Sequence, residues 1–175
     1  MNNKKILFFD IDRTLLTPHP FTVPESTKLA LKKAHENGHL LFINTGRTKA
    51  MMPEEISELH FDGYVYGCGT HIYMDNKLLF FRTVPNLHED GIWEVTQKGT
   101  SKATGMEFLL DRFSIPKENC YAFGDSPNDL PMLKAAGISV AMGNAYGGIE
   151  KDCTWQTSAV DKDGIYHALE HLNLI

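Results

Sequence analysis

Asp10 and Asp12 stand two residues apart, directly after the apolar run Lys5-Ile6-Leu7-Phe8-Phe9. Like charges about 4 Å apart repel by roughly 4 kcal/mol at an effective dielectric near 20. A fold keeps such a pair where a cation or a reaction requires it. Asp125 and Asp129 repeat the theme, following the apolar run that ends at Phe123. Carboxylates gathered at neighbouring strand ends stay ionised together around a divalent cation, and a hard, oxygen-rich set with room for water suits Mg²⁺. Other residues call for an anion beside that cation. Thr45-Gly46 follows an apolar run and precedes a helix, so its hydroxyl and backbone N–H groups are suited to phosphate. Lys102, after the turn Lys98-Gly99-Thr100-Ser101, supplies a compact positive charge at a helix start. Cation, hydroxyl, amides and lysine together describe a phosphoryl site.

The elements that must position these groups follow from the apolar pattern. The runs at 5–9, 39–43, 119–123 and 138–141 read as strands buried on both faces. Strand, polar turn and helix recur in succession, which predicts βαβ units and a doubly wound parallel sheet with helices on both sides. In such a sheet ligands bind at the carboxyl ends of the strands, where strand order reverses. A first helix is expected from a capping box at Thr22 and Glu25 to about Asn37, with Leu29, Leu31 and Ala34 facing inward. A second is expected from the Arg47-Thr48 turn to about Leu59. From Tyr64 to Val84 short β-like pieces alternate with Gly67, Gly69 and the turn Asp75-Asn76-Lys77, predicting a strand and one or two hairpins. Residues 85–91 read as a connector and 92–95 as a short strand. Further helices are expected from Ser101 to about Phe113, to Ala136, and from Gly164 to Leu172, with an edge strand at 154–157.

The 175 residues suffice for one domain; 42% are hydrophobic and 22% charged, as in ordinary soluble globular proteins. A net charge of -5 argues against nucleic acid or an anionic membrane as partner. The apolar run before Asp10 is too short for a signal peptide or membrane span. Cys68, Cys120 and Cys153 are odd in number and lack C-x-x-C spacing. That argues against a disulfide framework or a zinc site and fits a reducing, cytoplasmic setting.

Taken in order, Asp10-Ile11-Asp12-Arg13-Thr14, Asn44-Thr45-Gly46-Arg47, Lys102 in its turn, and Gly124-Asp125-Ser126-Pro127-Asn128-Asp129 resemble the four motifs of haloacid dehalogenase-type phosphatases. With Gly67-Cys68-Gly69 the pattern is similar to the Cof-type (IIB) subgroup. The resemblance implies a Rossmann-like three-layer core and a Mg²⁺-dependent phosphomonoester hydrolase. Asp10 would be the nucleophile and Asp12 the acid and base. Asp10, the Asp12 carbonyl and Asp125 would hold the metal, with Asp129 behind them. Thr45, Gly46, Lys102 and Asn128 would contact the phosphoryl group.

Two departures from that family stand out. Arg13 occupies a position where glycine is usual. Residues 82–95 leave space only for a loop and a short strand where Cof-type proteins insert a cap domain. The chain therefore reads as one core domain, 1–175, with the cap absent or reduced to that connector. The expected partner is a small phosphate ester, accepted with broad specificity, and a second copy of the chain is one way to cover the open site. The alternatives are a receiver-like phospho-accepting domain, a phosphomutase sharing the same core, and a capless fragment with little activity. Asp12 argues against the receiver, whose acidic pair lies on a different strand from the phospho-accepting aspartate.

Several residues have plainer readings. His167 and His171 have the i, i+4 spacing of a metal pair but no evident third ligand, so a solvated helix face is favoured. His19 and Arg47 are placed equally well in the site or on the surface. Trp93 and Trp155 read as packing residues, Cys68 as a small buried side chain, and Gly67-Cys68-Gly69 as hairpin punctuation.

Overall fold

A mixed eight-stranded sheet forms the middle layer, in the order β5-β4-β3-β2-β1-β6-β7-β8. The computed structural model describes residues 4–81 and 99–175. The strands are β1 (Ile6–Phe9), β2 (Leu40–Asn44), β3 (Gly63–Tyr66), β4 (His71–Met74), β5 (Lys77–Phe81), β6 (Cys120–Gly124), β7 (Ile138–Ala141) and β8 (Trp155–Gln156). The helices are α1 (Glu25–Glu36), α2 (Glu54–Ser57), α3 (Lys102–Phe113), α4 (Leu130–Ala135) and α5 (Gly164–His171). From β3 across to β8 through β1 the pairing is parallel, while β3, β4 and β5 pair antiparallel. The chain builds outward from β1 to one side and then crosses to β6 on the other, so strand order reverses between β1 and β6. There Phe9 pairs with Phe123, placing Asp10 and Gly124 side by side.

Alternation along β1 divides the core. Leu7 and Phe9 pack with Leu31 and Ala34 of α1 and Ile165 and Leu169 of α5. Ile6 and Phe8 pack with Met106 and Leu109 of α3 and Met132 and Leu133 of α4. Every β1 side chain is thus buried, as a continuous apolar strand between two helical layers must be. This is the three-layer Rossmann-like architecture expected from the sequence, with β4 and β5 forming the hairpin extension. Asp75 and Asn76 make its turn with φ of 48° and 59°, left-handed values these side chains tolerate.

Local differences have identifiable causes. The capping box at Thr22 and Glu25 does not form: Pro24 precedes α1 without a side-chain cap, and the Thr22 hydroxyl lies 3.3 Å from the Thr17 hydroxyl instead. Leu29 is 46% exposed; Thr27, Ala30, Leu31 and Ala34 form the inner face of α1. The expected second helix is a 3₁₀ turn, Lys49–Met51, followed by the short α2, because Pro53 interrupts the ladder. The helix expected before Ala136 also begins as a 3₁₀ turn, Pro127–Asp129. The connector at 85–91, the strand at 92–95 and Trp93 lie outside the described residues. Cys68, Cys120 and Cys153 form no disulfide with one another, and burial pushes the Cys120 thiol up to about 12.

Gly67-Cys68-Gly69 does more than punctuate the hairpin. It forms a 3₁₀ turn against the start of α3. Gly69 has φ of 91°, and a Cβ there would stand 2.4 Å from the Ser101 carbonyl oxygen. The absence of a side chain lets Ser101 cap α3, its hydroxyl accepting from Thr104 N and its N–H donating to the Thr104 hydroxyl. Gly69→Ala combines left-handed strain with a backbone clash. It is expected to lower unfolding free energy by about 2–4 kcal/mol, measured by urea denaturation.

Candidate functional site

Three carboxylates converge at the β1/β6 reversal. Asp10, Asp125 and Asp129 are all buried, and each offers an oxygen within 4.8 Å of the others. Lys102, at the first turn of α3, reaches under them: Nζ donates to Asp10 Oδ1 at 2.6 Å and to Asp129 Oδ1 at 2.6 Å. Asn44, at the end of β2, fixes the approach of α3 by donating from Nδ2 to the Lys102 carbonyl at 2.9 Å. Burial alone would lower the Lys102 ammonium, but the flanking Asp10 and Asp129 outweigh it and raise the net value. Lys102 is fully buried, and it lies beneath the cleft rather than along its wall.

Asp129 is committed to bracing the β6 turn. Its Oδ2 accepts from Asp125 N at 3.0 Å, Ser126 N at 3.1 Å and Ser126 Oγ at 3.2 Å. The carboxylate fills the space a Cβ on Gly124 would need, 2.7 Å away. Asp10 and Asp125 have more capacity left. Asp125 Oδ2 is buried and has no hydrogen-bond partner among the described residues; Arg13 Nε stands 3.5 Å from it as an ion pair. Burial pushes Asp10 up to about 7, with Asp129 and Asp12 adding to the shift and Lys102 opposing it. Burial likewise pushes Asp125 up to about 7, with Asp129 adding and Arg13 opposing. Two buried acids with an orphaned oxygen between them fit a hard divalent cation, whose charge removes the penalty for ionising both.

Above the carboxylates opens a cleft of about 330 Å³, lined by Asp10, Asp12, Thr45, Gly46, Asp125 and Asn128, with Arg13, Arg47, Met51, Ser126 and Tyr146 completing the rim. The sequence candidates are therefore gathered in one place: all line this cleft except Lys102 and Asp129, which support it from below. Thr45 is anchored by its N–H to the Val65 carbonyl at 2.9 Å, and its hydroxyl accepts from Arg47 N at 3.1 Å. The Asn128 amide oxygen accepts from the Ser126 hydroxyl.

Arginine side chains shape the mouth. Arg47 grips Asp12 with both arms, Nε to Oδ2 at 2.8 Å and Nη2 to Oδ1 at 2.6 Å. Its placement resolves in favour of the site; the signal available in sequence was its adjacency to Thr45-Gly46. Arg13 adopts φ of 62°, a conformation glycine takes without strain. It is held there by Asn144, whose Nδ2 donates to the Arg13 carbonyl at 2.8 Å. Its guanidinium sits 5.6 Å from the Tyr146 ring. Asn144 and Tyr146 carry no motif signal and emerge only from the fold. His167 and His171 have other partners: His167 Nδ1 lies 3.0 Å from the Ser158 hydroxyl, and His171 stacks on Trp155 at 4.2 Å. His19 is in edge contact with Phe21.

Fold and cleft together define a Rossmann-like α/β protein whose acidic site lies at the sheet's switch point. The chain belongs to the haloacid dehalogenase-like hydrolases: the model of that family matches residues 7–88 and 84–169. A HAD-superfamily phosphatase of Bacteroides thetaiotaomicron superposes with a TM-score of 0.89 and 25% identity, over 99% of this chain and 97% of that one. The subclass IIB sugar phosphatase BT4131 does so with a TM-score of 0.88 and 26% identity, over 98% and 100%. In sequence, a Bacillus subtilis protein assigned as a phosphatase, YkrA, is 23% identical over 256 positions, covering 99% of both chains. An alignment of that length against a chain of 175 residues means the relative carries residues with no counterpart here. A Streptococcus pyogenes protein assigned as a bifunctional phosphatase and peptidyl-prolyl cis-trans isomerase is 26% identical; the match covers 98% of this chain and 54% of that protein. No helix among the described residues is long and apolar enough to cross a membrane.

The raised Asp125 carboxyl sets a test without metal. Its folded value near 7 exceeds the ordinary 3.8, so the cost of ionising it in the fold appears as pH rises from about 4 and is complete above about 7. In EDTA, Asp125→Asn is therefore expected to raise Tm by about 3 °C or more at pH 8, by roughly a third as much at pH 5 and by little at pH 4, followed by calorimetry.

Proposed function

We propose that the chain is a Mg²⁺-dependent phosphomonoesterase working through an aspartyl-phosphate on Asp10, with broad specificity for small phosphorylated metabolites such as sugar phosphates. The observation that carries this reading is the pair formed by Asp10 on the cleft floor and Asp125 beside it, with Asp125 Oδ2 buried and without a hydrogen-bond partner among the described residues. The likeness to phosphatases, and to a sugar phosphatase in particular, supports the substrate class. The longer alignment of YkrA supports a short connector here where relatives carry an insertion, which leaves the leaving group little to be read by and so favours broad specificity.

Asp10 and Asp125 carboxylates, with the Asp12 carbonyl, would hold Mg²⁺, and Asp129 would fix the β6 turn that presents Asp125. Bound there, the ion supplies charge neutralisation for the carboxylates and for the phosphoryl oxygens. The remaining steps belong to the chain. Lys102 holds Asp10 by Oδ1, directing Oδ2 toward the cleft. Oδ2 attacks phosphorus, the ester P–O bond breaks, and the leaving oxygen takes a proton from Asp12. Thr45, the Gly46 N–H and Asn128 receive the phosphoryl oxygens as charge shifts onto them. Water then attacks phosphorus, gives its proton to Asp12, and Asp10 is released with inorganic phosphate. Arg47 donates to both Asp12 oxygens, which favours the ionised carboxylate, so loosening that grip would help Asp12 to carry a proton. Substrate entry beside Arg47 provides a competing anion for it.

Hydrolysis of p-nitrophenyl phosphate is expected with Mg²⁺ and to vanish with EDTA or in Asp10→Asn. Equal rates under all three conditions would dispose of the mechanism. Asp12→Asn is expected to lose about 10²–10⁴-fold in kcat and to accumulate a covalent phosphoenzyme, visible by mass spectrometry after acid quench. Arg13→Gly removes a cation competing for Asp125. It is expected to tighten Mg²⁺ binding about three- to tenfold, the weight of a half-exposed ion pair, read from Mg²⁺-dependent thermal stabilisation.

A further inference from the structure

We propose that His35, His60 and Asp62 form a second metal site, for a first-row transition ion such as Zn²⁺, on the sheet edge opposite the cleft. The inference is independent of the phosphatase reading. His35 lies in the last turn of α1, before β2; His60 and Asp62 immediately precede β3. These are the amino ends of parallel strands, whereas the cleft is built at their carboxyl ends. Each of the three residues offers a ligand atom within 4.8 Å of the others. The imidazoles of His35 and His60 are in contact, centroids 4.2 Å apart and tilted by 58°, and His35 Nδ1 lies 3.8 Å from Asp62 Oδ2.

The site is partly preorganised. Asp62 Oδ2 accepts from Leu41 N at 2.8 Å, fixing the carboxylate to β2. Phe61, between the outer two ligands, is buried and anchors their loop. Ligands about 2.0–2.2 Å from a tetrahedral ion stand roughly 3.5 Å from one another. The donors, within 4.8 Å of one another, therefore need to close by up to about 1.3 Å, within reach of rotation by two partly exposed imidazoles. Two nitrogens and one oxygen suit Zn²⁺, Co²⁺ or Ni²⁺ and disfavour Mg²⁺ and Ca²⁺. Thiolates have no part in it, so the cysteine spacing that argues against a zinc site does not bear on this one. Three protein ligands leave a fourth position to water. Such an ion would strap α1 to the edge of β2 and β3 and stabilise the fold by mass action.

The test is titration of the protein with Zn²⁺ by calorimetry, and with Co²⁺ by visible absorption, in excess Mg²⁺ to saturate the acidic cleft. One ion is expected to bind, with tetrahedral Co²⁺ bands and a rise in Tm. His35→Ala, His60→Ala and the milder His35→Gln should each weaken binding about tenfold or more, or 1.4 kcal/mol. Circular dichroism and the Mg²⁺ response should be unchanged, since both imidazoles are partly exposed. Absence of binding, an affinity no tighter than about millimolar, or binding that survives His35→Ala with His60→Ala would overturn the proposal. Binding lost instead in Asp10→Asn or Asp125→Asn would assign the ion to the cleft and overturn it equally.

Discussion

One buried ammonium sets the arrangement of the cleft. Lys102 Nζ lies 2.6 Å from both Asp10 and Asp129, bridging the end of β1 to the turn after β6. Without it, buried acids would face one another across a parallel-strand seam, an arrangement whose desolvation and repulsion exceed what a hydrophobic core this size readily offsets. The bridge explains demands made far away in sequence. Ser101 caps α3 so that Lys102 enters at its first turn; Asn44 fixes the Lys102 carbonyl; Gly69 leaves space for the Ser101 carbonyl to approach. Gly124 in turn makes space for Asp129. Each serves a single geometric end, which is to bring one cation beneath two strand tips.

Charge in the cleft is layered in consequence. Lys102 neutralises the floor from below, yet Asp10 and Asp125 remain raised to about 7 because burial outweighs it. In the metal-free fold these acids therefore tend to keep their protons near neutral pH, and a divalent ion would bind by taking the place of those protons. Nearer solvent, Arg47 is closed on Asp12 and Arg13 leans toward Asp125. These guanidinium groups are engaged by the protein's own acids, so an incoming anion meets them in competition rather than as free charges. On the phosphatase reading proposed above, entry of a phosphate ester would redistribute these ion pairs.

Much of this was legible in the residues, for a physical reason. Acids that follow uninterrupted apolar runs are conspicuous, and a sheet buried on both faces fixes where its strand ends lie; Asp10, Asp12 and Asp125 were identifiable on that ground alone. The hairpin of β4 and β5 declared itself through Asp75-Asn76. What escaped depends on competition between local partners. Thr22 has the spacing to cap α1, but the Thr17 hydroxyl lies beside it. Leu29 has the hydrophobicity of a core residue, but Ala30, Leu31 and Ala34 already fill the inner face, and Thr27 joins them. Pro53 divides what periodicity alone would join. The left-handed backbone of Arg13 and its support by Asn144 join residues far apart in sequence, and no local pattern encodes them.

Arg13 shows how such a non-local device alters the chemistry available. A glycine at that position would take φ near 60° at no cost and leave Asp125 Oδ2 facing only solvent and the cleft. An arginine there accepts backbone strain of about 1 kcal/mol. Asn144 holding its carbonyl and Tyr146 beneath its guanidinium offset that cost. The result is a cation standing 3.5 Å from the very oxygen that has no hydrogen-bond partner among the described residues. It is close enough to temper the acid's charge and too loosely placed to satisfy it. A side chain that fully paired Asp125 would close the floor of the cleft, and one that ignored it would leave an uncompensated charge in the apo fold. Arg13 lies between these limits: a half-exposed cation near a buried acid, weakly enough held to give way to a stronger one.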